Sequence, residues 1–160
     1  MRRTNHLKFM NLTIDIGNTR TKIALFNGET FVREEKFENT DAEHLLNVVK
    51  EKEAKGLAFC SVAAENPLLV EALKQLPYPV LEVKGTTPAP VTVAYRTPET
   101  LGADRLAAVV GAVTLKPQTD LLVVDAGTCI TYDFVDAAGN YLGGNISPGV
   151  EMRLEALHNC

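Results

Sequence analysis

The sequence is short of the residues and runs that mark several common protein classes. Its 160 residues hold three cysteines, Cys60, Cys129 and Cys160, far apart, with no Cys-x-x-Cys and no histidine near them at metal-ligand spacing. That excludes a disulfide framework or zinc module and leads us to expect reduced thiols and a cytoplasmic location. No stretch approaches the ~20 consecutive apolar residues of a membrane span. The opening residues carry Arg2, Arg3 and Lys8 but lead into no apolar run of signal-peptide length. Neither a membrane partner nor export is expected. A basic excess is missing too: 16 Lys and Arg stand against 20 Asp and Glu, for a formal net charge of −4. Nucleic acid is therefore not expected as a partner. The 11 Gly and 8 Pro follow no period, which excludes collagen-like and low-complexity chains. There is no Walker-type Gly-Lys phosphate loop and no strand-linked Gly-x-Gly-x-x-Gly.

What is present is 46% apolar and 22% charged, the material of about one globular domain with a core. Met10 directly precedes the first strand-like segment, so residues 1–9 read as a leader outside the fold. Leu12, Ile14 and Ile16 alternate with Thr13 and Asp15, and after Gly17-Asn18 the run 21–26 is again strand-like, predicting a tight hairpin. Asn27-Gly28 makes a second turn and 30–37 a third strand. Thr40 and Glu43 form a capping box for a helix over 41–54. A strand at 57–62, a helix at 67–75 opened by Pro67, and a short strand at 80–83 follow. This order predicts a mixed sheet with helices laid on it. Pro88, Pro90 and Pro98 mark an extended surface connection over 84–98, and a helix is expected at 102–115. Lys116-Pro117-Gln118-Thr119 is the best boundary, with strands beyond it at 121–124 and 128–135, a turn at 136–140 and a helix start at 150–158.

One device occurs twice. Leu12-Thr13-Ile14-Asp15-Ile16-Gly17-Asn18-Thr19 and Leu122-Val123-Val124-Asp125-Ala126-Gly127-Thr128 are both apolar strands that end in Asp-x-Gly before a second strand. Glycine allows backbone N–H groups to converge on an anion, while the carboxylate must hold a cation that neutralises phosphate oxygens. Lys22 adds positive charge to the first loop. Two such loops are suited to clamp a nucleoside triphosphate between them; each alone also reads as an ordinary hairpin turn. Asp104 and Arg105 stand at a helix start, where an isolated pair reads first as a capping acid with a solvated base; the functional reading is a general base with a carboxylate clamp, and spacing alone does not choose. Gly143-Gly144-Asn145-Ile146-Ser147-Pro148-Gly149 reads as a loop entering a helix, suited to anion contact or to a plain Gly-Pro turn.

In order along the chain, Asp15 to Thr19 with Lys22, Tyr95 to Arg105, Asp125 to Thr128 with Thr131 and Asp133, and Gly143 to Gly149 resemble the motifs of type III pantothenate kinases, from Met10 to the last residue. The resemblance implies an α/β fold of duplicated ribonuclease-H-like (actin-like ATPase) domains with mixed sheets and flanking helices. The first would occupy 10–116 with the first phosphate loop and substrate segment. The second, at 120–160, would be incomplete, since the family continues for a further half-domain and this chain stops inside a helix; a poor catalyst is expected. The resemblance also implies transfer of the ATP γ-phosphoryl to pantothenate, the first step towards coenzyme A. Asp15, Ile16, Gly17, Asn18, Thr19, Arg20, Thr21 and Lys22 would form the first phosphate loop, with Asp15 near Mg²⁺, and Thr128 would lie in the second. Asp125 would hold a monovalent cation, K⁺ or NH₄⁺. Tyr95, Gly102, Ala103, Asp104 and Arg105 would line the pantothenate pocket, with Asp104 as proton acceptor and Arg105 on the substrate carboxylate. Full-length relatives are expected to be homodimers. Cys129 stands where the family more often has a small residue. A non-catalytic nucleotide-binding module of the same superfamily is the alternative, and a sugar or acetate kinase a weaker one, since kinship of fold does not fix the acceptor.

Overall fold

The structure, a computed structural model, describes residues 10–17, 20–38, 42–50, 54–61, 67–95 and 97–159. The leader at 1–9, Asn18 and Thr19 of the first turn, Thr40 of the capping box, Val62, Arg96 and Cys160 lie outside the described residues. The chain divides into two compact units, Met1–Val83 and Lys84–Cys160.

In the first unit, β1 (Met10–Ile16), β2 (Arg20–Asn27) and β3 (Thr30–Glu38) form an antiparallel meander, and β4 (Ala54–Ser61) and β5 (Val80–Glu82) add to it in parallel. The sheet order is β3-β2-β1-β4-β5. Strict alternation places Leu12, Ile14 and Ile16 of β1 and Ile23 and Leu25 of β2 on one face. Helices α1 (Ala42–Lys50) and α2 (Pro67–Lys74) cover that face with Leu45, Val49, Leu69 and Leu73. Asp15 and Lys22, directly paired across the strands, are left on the other face. The edge strand β3 is protected by charge: Arg33 pairs with Glu35 at 2.9 Å and Lys36 with Glu34 at 2.7 Å. The helix expected to run to residue 54 ends earlier, because Ala54 already pairs with Met10 as the first residue of β4. Sheet pairing there overrides the helix-forming character of Ala54 and Lys55.

In the second unit, β7 (Leu121–Ala126), β8 (Cys129–Val135) and β9 (Asn140–Pro148) are antiparallel neighbours, and β6 (Thr92–Val93) pairs in parallel with β9. Residues 140–148 are thus a strand rather than the loop expected for 143–149, and only Gly149 separates it from α4 (Val150–His158). Likewise the 84–98 connection contributes β6 to the sheet. Helix α3 (Ala103–Leu115) lays Leu106 and Val109 on Val135 and Tyr141. Because α3 packs on β7 and β8, residues 84–116, expected to belong with the first repeat, fall in the second compact unit. The mixed α/β architecture is the expected fold class. Among the described residues no helix is long and apolar enough to cross a membrane.

Leu73 is fully buried in the first core, whereas Leu68 on the same helix is 82% exposed. Leu73→Ala is expected to cost about 2–5 kcal/mol in urea unfolding, and Leu68→Ala less than about 0.5 kcal/mol. Equal losses for the two variants would contradict the packing described.

Candidate active site

The first Asp-x-Gly turn leaves β1 beside the carboxyl end of its parallel neighbour β4. Asp15 sits one residue before the end of β1, with Lys22 Nζ 3.6 Å from its Oδ2. The Cys60 thiol on β4 donates to Asp15 Oδ1 across 3.6 Å. Both members of the Lys22–Asp15 pair remain open to solvent, at 45% and 41% exposure, so the pair contributes little to stability. The turn is closed by Gly17 N–H donating to the Arg20 carbonyl at 3.0 Å. Ile16 and Thr21, the last pair of the β1–β2 ladder, are both buried. Asn18 and Thr19, at the tip, lie outside the described residues.

The second Asp-x-Gly turn lies inside the second unit and is one residue shorter. Asp125 is one residue before the end of β7 and exposed, opposite Thr131 on β8. Gly127 N–H donates to the Cys129 carbonyl at 2.9 Å. Gly149 N–H, at the start of α4, donates to the Thr128 carbonyl at 2.8 Å. A Cβ on Gly149 would collide with the Gly127 and Thr128 carbonyls, so glycine there lets the helix start sit against the turn. Among the described residues no group of three or more His, Cys, Asp or Glu surrounds a metal position. Asp15 and Asp125 each offer a single accessible carboxylate, which fits a cation that keeps most of its water or takes phosphate oxygens as its other ligands.

The third cluster stands at the start of α3. Gly102 is its N-cap, and a Cβ there would collide with Asp104 Oδ1, so the missing side chain makes room for the carboxylate to fold back. Asp104 Oδ1 is buried and, among the described residues, has no hydrogen-bond partner. Its neighbour Arg105 is 6% exposed and turns inward onto Asp133 of β8, itself 1% exposed. Arg105 Nε donates to both Asp133 oxygens at 3.1 and 3.2 Å, and Nη2 donates to Oδ1 at 2.5 Å. The Tyr141 hydroxyl donates to the same Oδ1 at 2.5 Å. The Tyr95 ring lies 6.0 Å from the guanidinium carbon. Burial alone lowers the Arg105 pKa, but the hydrogen bond it donates to Asp133 and the neighbouring charges carry the net change upward. Burial first, then the hydrogen bond and charge of Asp133, raise Tyr141 far above an ordinary phenol.

A family model for type III pantothenate kinases matches residues 11–160. The chain belongs to that family. Similar curated type III pantothenate kinases include those of Bacteroides fragilis, 49% identical over 149 residues, and Flavobacterium johnsoniae, 41% identical over 153. The match covers 93% of this chain and 61% of the Bacteroides fragilis protein, and 94% and 62% for Flavobacterium johnsoniae. The chain therefore spans about three fifths of the length of these type III kinases. Among solved structures, an ethanolamine utilization protein EutJ from Carboxydothermus hydrogenoformans superposes at a TM-score of 0.54 with 11% identity, covering 94% of this chain and 57% of its own. A Ppx/GppA phosphatase from Aquifex aeolicus does so at 0.52 and 16%, covering 92% and 55%. At such identities the likeness is one of fold alone.

Within this type III family member, the structure brings Tyr95, Gly102, Asp104 and Arg105 together in one unit and leaves each Asp-x-Gly turn in its own. The sequence alone assigns no role to Asp133 or Tyr141. It does hold a signal for Asp133: Thr131, Asp133 and Val135 share one strand face, so a carboxylate there must meet a buried partner.

Two measurements check this cluster. A Cβ on Gly144 would meet the Tyr132 carbonyl, Asp133 Oδ1 and Arg105 Nη2, so Gly144→Ala is expected to destabilise the chain by about 1–3 kcal/mol. Gly127→Ala, with nothing nearer than 3.8 Å, should change stability by less than about 0.5 kcal/mol. Because the folded pKa of Tyr141 is raised, its contribution to stability is complete below the unfolded phenol value of about 10 and is lost as pH rises beyond it. The stability gap between wild type and Tyr141→Phe should be constant from pH 7 to 9 and narrow above pH 10; a gap that widens there would refute the assignment.

Proposed function

We propose that the chain carries the base and the phosphate turns of a pantothenate kinase, which transfers the γ-phosphoryl of ATP to the terminal hydroxyl of pantothenate to give 4'-phosphopantothenate, the first step towards coenzyme A. The observation that carries this reading is the buried Asp104 Oδ1, without a hydrogen-bond partner among the described residues. A buried acceptor with nothing to accept from is costly in the free protein and is satisfied when a substrate hydroxyl donates to it. Phosphoryl transfer needs positioning and charge neutralisation more than covalent help. Asp104 then has only to receive the hydroxyl proton as the bond to phosphorus forms. Family membership supports the acceptor, and the chain's three-fifths span of its relatives makes the activity a matter for direct assay.

In this reading Tyr95, Gly102, Ala103 and Arg105 line the acceptor pocket, with the Arg105 charge directed at the pantothenate carboxylate. Arg105 Nε and Nη2 are already engaged by Asp133, so the substrate meets the remaining edge of the guanidinium. The turn from Asp15 to Lys22 takes phosphate oxygens through backbone N–H groups and the Lys22 ammonium, and Thr128 does so from the second turn. Asp15 would hold Mg²⁺ and Asp125 a monovalent cation, K⁺ or NH₄⁺; bound there, they neutralise charge on the polyphosphate. A homodimer and a cytoplasmic setting belong to the same reading by family resemblance.

An ATP-dependent assay with pantothenate tests it. Asp104→Asn should retain ATP binding and lose about 10² to 10⁴ in turnover; unchanged turnover would remove Asp104 from the chemistry. Replacing potassium by sodium should lower the wild-type rate, and Asp125→Ala should abolish that difference. A rate indifferent to potassium would count against the role given to Asp125.

A further inference from the structure

Arg105 is assigned to the substrate carboxylate, yet a guanidinium on a long side chain is a poor clamp unless something fixes its plane. Here that something is on the neighbouring strand. Asp133 receives Nε and Nη2 together, the fork arrangement that sets both the position and the plane of a guanidinium. The carboxylate is in turn held by the Tyr141 hydroxyl from β9. Tyr141 is itself fully buried and packed with Leu106, Val109 and Val135. Asp133 and Arg105 are withdrawn from water, so the pair is not an exposed ion pair free to exchange partners. Gly144 makes the arrangement possible, since any side chain there would occupy the space of Asp133 Oδ1 and Arg105 Nη2.

We propose that Asp133, locked by Tyr141, is the positioning residue that aims Arg105 at the carboxylate of the acceptor substrate and thereby sets selectivity for an acid over its neutral analogues. The inference rests on the reading of Arg105 as the carboxylate-binding group. It assigns Asp133 no contact with substrate and no part in proton transfer. Its effect belongs to recognition of the acid and not to the chemical step at Asp104.

The test compares binding of pantothenate with binding of the same molecule carrying an alcohol in place of its carboxyl, by calorimetry on the whole chain, with folding checked by circular dichroism. Asp133→Asn keeps the shape but removes the charge; Tyr141→Phe removes one hydroxyl and is the milder variant should Asp133→Asn fail to fold. Each is expected to weaken the acid roughly ten-fold, since a hydrogen bond to a charged group is at stake, and to leave the alcohol unchanged. Equal weakening of both ligands, or of neither, would overturn the proposal. Arg105→Gln separates the two layers. If it erases the preference for the acid while Asp133→Asn and Tyr141→Phe do not, the positioning role fails and the reading of Arg105 stands. If Arg105→Gln leaves the preference intact, or the wild-type chain binds neither ligand, the reading fails and the positioning role with it.

Discussion

A guanidinium and a carboxylate, both withdrawn from water, tie the second unit together. Arg105 comes from α3, Asp133 from β8 and Tyr141 from β9, so one network joins the helix to two strands of the sheet. Removing either ion alone would leave a buried charge unpaired, a loss of about 3–5 kcal/mol in comparable cases. The same network dictates composition around it. Gly144 must be glycine for space, and Gly143, at φ 112°, takes a backbone conformation that side chains disfavour while the Tyr95 ring lies over it. Asp104, one residue before Arg105, inherits its place at the helix start from how α3 is anchored.

The two Asp-x-Gly hairpins share the placement of the acid, although the second turn is one residue shorter. Each sets an aspartate one residue before the strand end and closes a short turn behind it. They differ in what faces the carboxylate. Asp15 has Lys22 across the ladder and the Cys60 thiol alongside. Asp125 faces Thr131 and solvent, with no cation beside it among the ion pairs of the described residues.

Much of this architecture is legible in the amino-acid sequence. The alternation of Leu12, Ile14 and Ile16 against Asn11, Thr13 and Asp15 gives β1 its buried face directly, and Pro67 marks the first turn of α2 where the structure has it. Strand β9 is not legible, because Gly143, Gly144, Asn145, Ser147 and Pro148 are all poor strand formers. Pairing with β8 and the close approach of Arg105 decide that segment, and both are tertiary facts. The Arg105–Asp133 partnership is hidden for a similar reason. Spacing on a strand says that Asp133 points inward, but not which of the chain's basic residues it meets across 28 positions. Ala54, the first residue of β4, reads as helix because its local propensity favours one, and that loses to the ladder with β1.

The central claim is that a buried carboxylate oxygen at the start of α3, unpartnered among the described residues, receives the hydroxyl to be phosphorylated. A crystal structure of the chain with pantothenate and a non-hydrolysable ATP analogue tests it most directly. The account predicts the terminal hydroxyl within about 2.6–3.2 Å of Asp104 Oδ1. A hydroxyl seated elsewhere, with that oxygen still unpaired or occupied by another protein group, would contradict it.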